Sequence, residues 1–174
     1  MLEMSVCNVG YFGSVSTSYC LRVLNELSAN LPSEKFQFHV CGKIVEDGVY
    51  INPRIEYHGY LNGAEFSSFC DMIDVFINPR CYSRKFSNYS FPSKIYEYMS
   101  YCRPIISTPI PHVSEETARF INFSADFLTD SVSECLIDIE KNYSHHLFLA
   151  RAQKEYLGGL NVGKKIYNFL EDIS

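Results

Sequence analysis

Two hydrophobic periods alternate along the chain. Short apolar blocks of strand length lie at Val6–Phe12, Phe36–Cys41, Arg54–His58, Asp74–Asn78 and Pro104–Thr108. Between them, apolar positions recur every three or four residues, as on one face of a helix. The first such stretch runs from about Thr17 to Asn30, with Leu21, Leu24, Leu27 and Leu31 on its apolar side and Leu31-Pro32 as its stop. Ala64–Met72 is the second. A short helix near Val113–Phe120 and a weak strand near Ile121–Phe127 follow. Ser131–Asn142 is expected to be helical, with Ser131 as N-cap and Glu134 at the capping-box position. Helices over about Ser144–Leu157 and Val162–Ile173 complete the pattern. Strands alternating with helices predict an α/β fold with a parallel sheet.

Residues 90–108 carry the most chemistry. Pro92 suits the first turn of a helix, where its missing N–H costs nothing. Ser93 and Lys94 then present backbone N–H groups at the positive end of the helix dipole, an arrangement that suits a phosphate-type anion. Ile95, Tyr98, Met99 and Cys102 form the buried stripe, and Glu97 lies on a different face, one turn beyond Ser93. Arg103-Pro104 stops the helix before the strand.

Composition narrows the function. With 174 residues, 47% hydrophobic and 20% charged, the chain reads as one globular domain spanning 1–174. It holds no apolar run of ~18–20 residues that could span a bilayer, and its start lacks the basic and apolar regions of a signal peptide. A cytoplasmic location is therefore expected, with loose association at the inner membrane surface left open. A net charge of −5 disfavours nucleic-acid binding. Against it, Val75–Tyr96 contains no Asp or Glu but holds Arg80, Arg84, Lys85 and Lys94, a basic island ending at a helix start. The seven cysteines never form C-x-x-C, which argues for reduced thiols rather than disulfides or a zinc site. The adjacent His145-His146 point to different faces of a helix and make poor metal ligands. No metal or other cofactor is expected.

Phe91-Pro92-Ser93-Lys94, Glu97-Tyr98-Met99 and Pro104-Ile105-Ile106-Ser107-Thr108 together resemble the donor-binding signature of GT-B glycosyltransferases, in particular family 4. Val9–Gly13, Phe38–Gly42 and Ile55–Leu61 with Phe66–Pro79 fit the same comparison in order and spacing. The resemblance covers essentially the whole chain and implies the C-terminal, nucleotide-sugar-binding half of such an enzyme, a Rossmann-like doubly wound sheet with helices on both faces. The N-terminal acceptor domain would then be absent, and the donor would be an NDP-sugar, UDP most readily. The acceptor would be a glycan or lipid-linked molecule in polysaccharide biosynthesis, and the outcome retention. By the same resemblance Glu97 would accept from the ribose hydroxyls, the amides of Ser93 and Lys94 would hold the diphosphate, and the turn Gly59-Tyr60-Leu61 would approach the base. Gly13 and Phe91 complete the implied donor site.

This sequence departs from the family in three places. Tyr89 stands where many members carry a sugar-contacting Glu, so that role does not transfer. The loop Ser14-Val15-Ser16-Thr17-Ser18 lacks the family's basic residues, for which Lys94, Arg80 or Arg84 could compensate. Cys102 replaces a Gly, read as a structural change. These departures keep a degenerate, non-catalytic binding domain in view, beside half of a GT-B-fold epimerase. An NAD-type domain is disfavoured because no G-x-G-x-x-G follows the first strand. Aromatic residues around Tyr11-Phe12, Tyr82 and Phe86–Phe91 suggest an exposed apolar cleft face capable of self-association.

Overall fold

The computed structural model describes residues 6–79, 93–110, 113–125 and 129–159. Within them the expected alternation is present. The strands are β1 (Cys7–Phe12), β2 (Phe36–Cys41), β3 (Ile55–Tyr57), β4 (Val75–Asn78), β5 (Ile105–Ser107) and β6 (Ile121–Phe123). All pairings are parallel and the sheet order is β3-β2-β1-β4-β5-β6. Strand order reverses direction between β1 and β4, which opens a crevice at the carboxyl ends of those strands.

Helices α1 (Arg22–Asn30), α2 (Gly63–Met72), α3 (Ser93–Met99) and α4 (Glu115–Ala118) lie in the crossovers β1–β2, β3–β4, β4–β5 and β5–β6, and α5 (Thr129–Lys141) and α6 (Tyr143–Gly159) follow the last strand. Side-chain alternation in the strands divides the interior into two cores. Val9, Tyr11, Phe38, Val40, Val75, Ile77 and Ile106 face α1 and α5, where Leu24, Leu27, Val132, Leu136 and Ile139 cover them. Phe12, Cys41, Phe76 and Ile105 face the other way, into Phe69, Ile73, Ile95, Tyr98 and Met99 of α2, α3 and the segments after them. The C-terminal turn of α6 joins this second core through Tyr156 and Leu157. The sheet is doubly wound.

Four local readings change. Cys102 is not part of the buried stripe of the signature helix: α3 ends at Met99, and Cys102, half-buried at φ +53°, lies in the turn after it. The helix expected from Thr17 opens as a π-helical turn (Thr17–Leu21), because Leu21 N–H reaches back five residues to Ser16 O, at 3.1 Å. Ser131 is not an N-cap: α5 begins at Thr129 and Ser131 lies inside its first turn, so Glu134 closes no capping box on it. Tyr11 and Phe12 are not an exposed aromatic face. They are 3% and 4% exposed, one in each core. The helix expected over Val162–Ile173 lies outside the described residues. No helix among the described residues is long and apolar enough to cross a membrane.

Candidate functional site

Three loops meet at the carboxyl ends of β1, β2 and β3. Gly13 N–H donates to Cys41 O and Gly42 N–H to Gly59 O, at 3.0 and 2.7 Å, so the three strand ends are tied through their glycines. Gly13 and Gly42 sit at φ +140° and +141°, and a Cβ on either would collide: with Lys94 Nζ at Gly13, with the Gly13 carbonyl at Gly42. Glycine is required at both by conformation, and at Gly42 also by space, since there the obstacle is backbone. Beyond the glycines the loops run on side by side, joined by Val15 N–H to Lys43 O and Val45 N–H to Val15 O.

A cleft of about 500 Å³ opens over these ends, within the usual size of a small-molecule site. Phe12, Gly13 and Ser14 line it after β1, and Cys41, Gly42 and Lys43 after β2. Tyr60, Leu61 and Asn62 come from the turn after β3, Phe66 from α2 and Glu97 from α3. Tyr60 is 74% exposed, a large ring presented at the cleft mouth. Glu97 is exposed, and no ion pair among the described residues claims its carboxylate. Lys43, also exposed, is the cationic side chain in the lining among the described residues.

Helix α3 is anchored so that Glu97 faces this cleft. Ile95, Tyr98 and Met99 are buried on its opposite side. The Tyr98 hydroxyl lies between the Phe12 N–H and carbonyl at 3.4 and 3.3 Å, and burial pushes its pKa well up, so it stays protonated and can donate. Lys94 donates to Phe12 O at 2.6 Å, with its ammonium 5.3–5.9 Å from the rings of Tyr11, Phe12 and Tyr98. Helix α3 is thus stitched to the end of β1 by two side chains one turn apart.

Of the residues expected from sequence, Gly13, Tyr60, Leu61 and Glu97 come together in the cleft. Gly59 supports it from behind, through its bond to Gly42. Ser93 is exposed at the first position of α3, and Lys94 lies beside Gly13 rather than among the lining residues. Phe91, Arg80 and Arg84 lie outside the described residues, as do Tyr82 and Tyr89. Lys43 was missed; its signal was its position directly after the glycine closing β2. The basic-poor loop after β1 has a further feature: the Glu46 carboxylate accepts from Thr17 N–H at 2.9 Å. An acidic side chain occupies the start of the first helical segment, where a helix dipole favours an anion.

A second constellation also escaped the sequence reading. On β2, on β3 and just past the end of β3, His39 Nδ1 lies 3.2 Å from His58 Nε2 and 3.5 Å from a Glu56 oxygen. Strand register explains it, since His39 pairs with Glu56 and His58 follows two residues later on the same face.

Residues 6–138 match the family model described as Glycosyl transferases group 1. The chain belongs to that family. No curated protein matches it. Among solved structures, Anabaena HepE in complex with UDP-glucose superposes with a TM-score of 0.70 at 11% identity, over 95% of this chain and 48% of that one. Sucrose-phosphate synthase from Thermosynechococcus elongatus gives 0.72 at 13%, over 97% and 46%. The C-terminal domain of LpcC, a group 1 glycosyl transferase protein of Francisella tularensis, gives 0.65 at 12%, over 86% and 83%. At these identities the likeness is one of fold. This group 1 chain spans about half the length of HepE and of the synthase.

Proposed function

We propose that this chain is the nucleotide-sugar-binding half of a glycosyltransferase, holding an NDP-sugar, UDP-linked in the first instance, for transfer to a glycan or lipid-linked acceptor. The observation that carries this reading is Glu97 on the wall of a cleft whose floor is the glycine-tied ends of β1 and β2. A carboxylate there can accept from both hydroxyls of a ribose cis-diol. The turn Tyr60–Asn62 supplies a ring and main-chain groups for the base. Lys43 and Lys94, flanking Gly13 and Gly42, supply the positive charge that the loop after β1 lacks, and the amides of Ser93 and Lys94 add to it. The UDP-glucose bound by HepE supports the donor class.

Donor binding through these groups needs no divalent metal, since cationic side chains and amides neutralise the diphosphate. Transfer needs a second domain to hold the acceptor and to close the cleft against water. The purified chain is accordingly expected to bind nucleotide without turnover.

Calorimetric titration with UDP, GDP and ADP sugars tests the reading, with Glu97→Ala as the discriminating variant. It is expected to weaken binding by ~1.5–3 kcal/mol, the scale of a charge-assisted hydrogen bond, and to weaken a 2′-deoxyribonucleotide much less. Equal losses for the two sugars would remove the ribose role, and loss of affinity in excess chelator would remove metal independence.

A further inference from the structure

His39, Glu56 and His58 share the α2-side face of the two outermost strands at the β3 edge, where the donor reading gives them no part. Their ligand atoms lie within 4.8 Å of one another. The three closest separations are 3.2 Å between the imidazole nitrogens, 3.5 Å from His39 Nδ1 to Glu56 Oε2, and 3.8 Å from His58 Nε2 to Glu56 Oε1. Ligands about 2.0–2.1 Å from a tetrahedral ion stand roughly 3.4 Å apart, so the cluster already has the span of three corners of such a site.

The wiring behind His39 fixes which nitrogen faces the cluster. His39 Nε2 lies 3.1 Å from Asn8 Oδ1, while Asn8 Nδ2 donates to Asp74 Oδ2 at 3.0 Å. Tyr143 donates to the other Asp74 oxygen at 3.4 Å. With its amide nitrogen committed to a carboxylate, Asn8 presents its oxygen to His39, so His39 carries its proton on Nε2 and turns the Nδ1 lone pair towards His58 and Glu56. Oriented imidazoles of this kind are what metal sites require of their outer partners. His39 is 5% exposed at its side chain, His58 19% and Glu56 59%, which leaves an open side for a water. A proton on His58 Nε2 can be given to His39 Nδ1 or to Glu56 but not to both; a dication accepts from all three groups.

We propose that His39 Nδ1, His58 Nε2 and the Glu56 carboxylate bind one zinc-class divalent cation, with water as the fourth ligand. Two imidazoles and a carboxylate suit Zn²⁺ better than Mg²⁺ or Ca²⁺. The ion clips the edge strand β3 to β2, and because His58 precedes Gly59 it braces the turn that walls the donor cleft. The clip is structural, and the donor does not contact it.

The test titrates untagged, chelator-stripped chain with Zn²⁺ by calorimetry and follows thermal unfolding in parallel. One equivalent is expected to bind, with a rise in the unfolding midpoint. Glu56→Gln, an exposed change that spares the fold, and His58→Gln are each expected to weaken binding at least ten-fold and to abolish the rise. Co²⁺ is expected to give a tetrahedral visible spectrum without a thiolate charge-transfer band, which separates this site from the seven cysteines. No saturable equivalent, unchanged affinity in both variants, or a thiolate band would overturn the proposal. Nucleotide affinity, measured on the stripped chain before zinc is added, reports on the donor site apart from the ion.

Discussion

On the face covered by α1 and α5, the sheet buries mainly aliphatic side chains, with Leu24 and Leu27 of one helix meeting Val132, Leu136 and Ile139 of the other across it. On the opposite face the contacts are rings. Phe12 packs edge-on to Phe66, Phe76 and Tyr98 at 4.6–5.7 Å between centroids, and Phe76 stacks on Tyr98 at 4.9 Å. Aliphatic packing is non-directional and tolerates small shifts of one helix against another. Ring packing with a buried hydroxyl fixes orientation as well as distance. The oriented face is the one that carries the cleft, Glu97 and the histidine cluster. Both faces supply stability, and the aromatic face also supplies position.

That division can be broken most forcefully by truncating one residue in each core. Leu27→Ala, at 0% exposure, is expected to cost ~2–5 kcal/mol of unfolding free energy while leaving nucleotide affinity unchanged. Tyr98→Ala, also fully buried, is expected to cost at least as much, ~3–5 kcal/mol, and to lower nucleotide affinity ten-fold or more, because α3 loses its tie to Phe12. Denaturant unfolding and calorimetry on the same samples read both quantities. Equal effects on affinity would mean that the two faces are not specialised.

How far this was legible in the sequence follows the same line. The strands and the stripe Leu21, Leu24, Leu27 and Leu31 could be read from periodicity, because burial on a sheet face or a helix stripe is what periodicity encodes. The signature helix and Glu97 could be read from an ordered motif. The π-helical turn could not: it comes from Ser16 O accepting from Leu21 N–H, a choice made by the loop tied to β2. Nor could the histidine cluster. His39 and His58 are 19 residues apart, and only the register of β2 on β3 makes them neighbours. Ser131 misled because a good N-cap residue is also an ordinary first-turn residue when the helix starts two positions earlier.

Alkaline titration sharpens the comparison from the other side. Cys7 and Cys20, both in the aliphatic core, have thiols pushed up to about 12 by burial. A group whose folded pKa is raised stabilises below its unfolded pKa and loses that contribution as pH rises towards the folded value. Unfolding free energy is therefore expected to fall above pH 9. By pH 10 each thiol accounts for a loss on the order of 1 kcal/mol. Cys70, in the aromatic core with its thiol raised to about 11, adds in the same direction. Replacing Cys7 and Cys20 by Ala is expected to flatten the pH 8–10 slope of urea midpoints. An unchanged slope would show that these thiols are not where the alkaline loss resides.

The smallest expected effect lies where the aromatic face departs from its family. Cys102 adopts φ +53°, the left-handed region, and among the described residues it is the one non-glycine at positive φ. It closes the turn after α3, where its N–H bonds Met99 O at 3.1 Å and Arg103 then fastens to Ile73 O at 3.0 Å. The left-handed region costs a side-chain-bearing residue roughly 1–2 kcal/mol, while glycine returns about 0.5–1 kcal/mol of that through its freer unfolded chain. Cys102→Gly is thus expected to stabilise by ~0.5–1 kcal/mol, seen as a rise in urea midpoint, with nucleotide affinity unchanged. Cys102→Ala separates backbone from thiol: it keeps the penalty, so its midpoint is expected to stay at the wild-type value. If Ala stabilises as much as Gly, the gain comes from removing the sulfur, and the backbone at 102 is not what the family's glycine relieves.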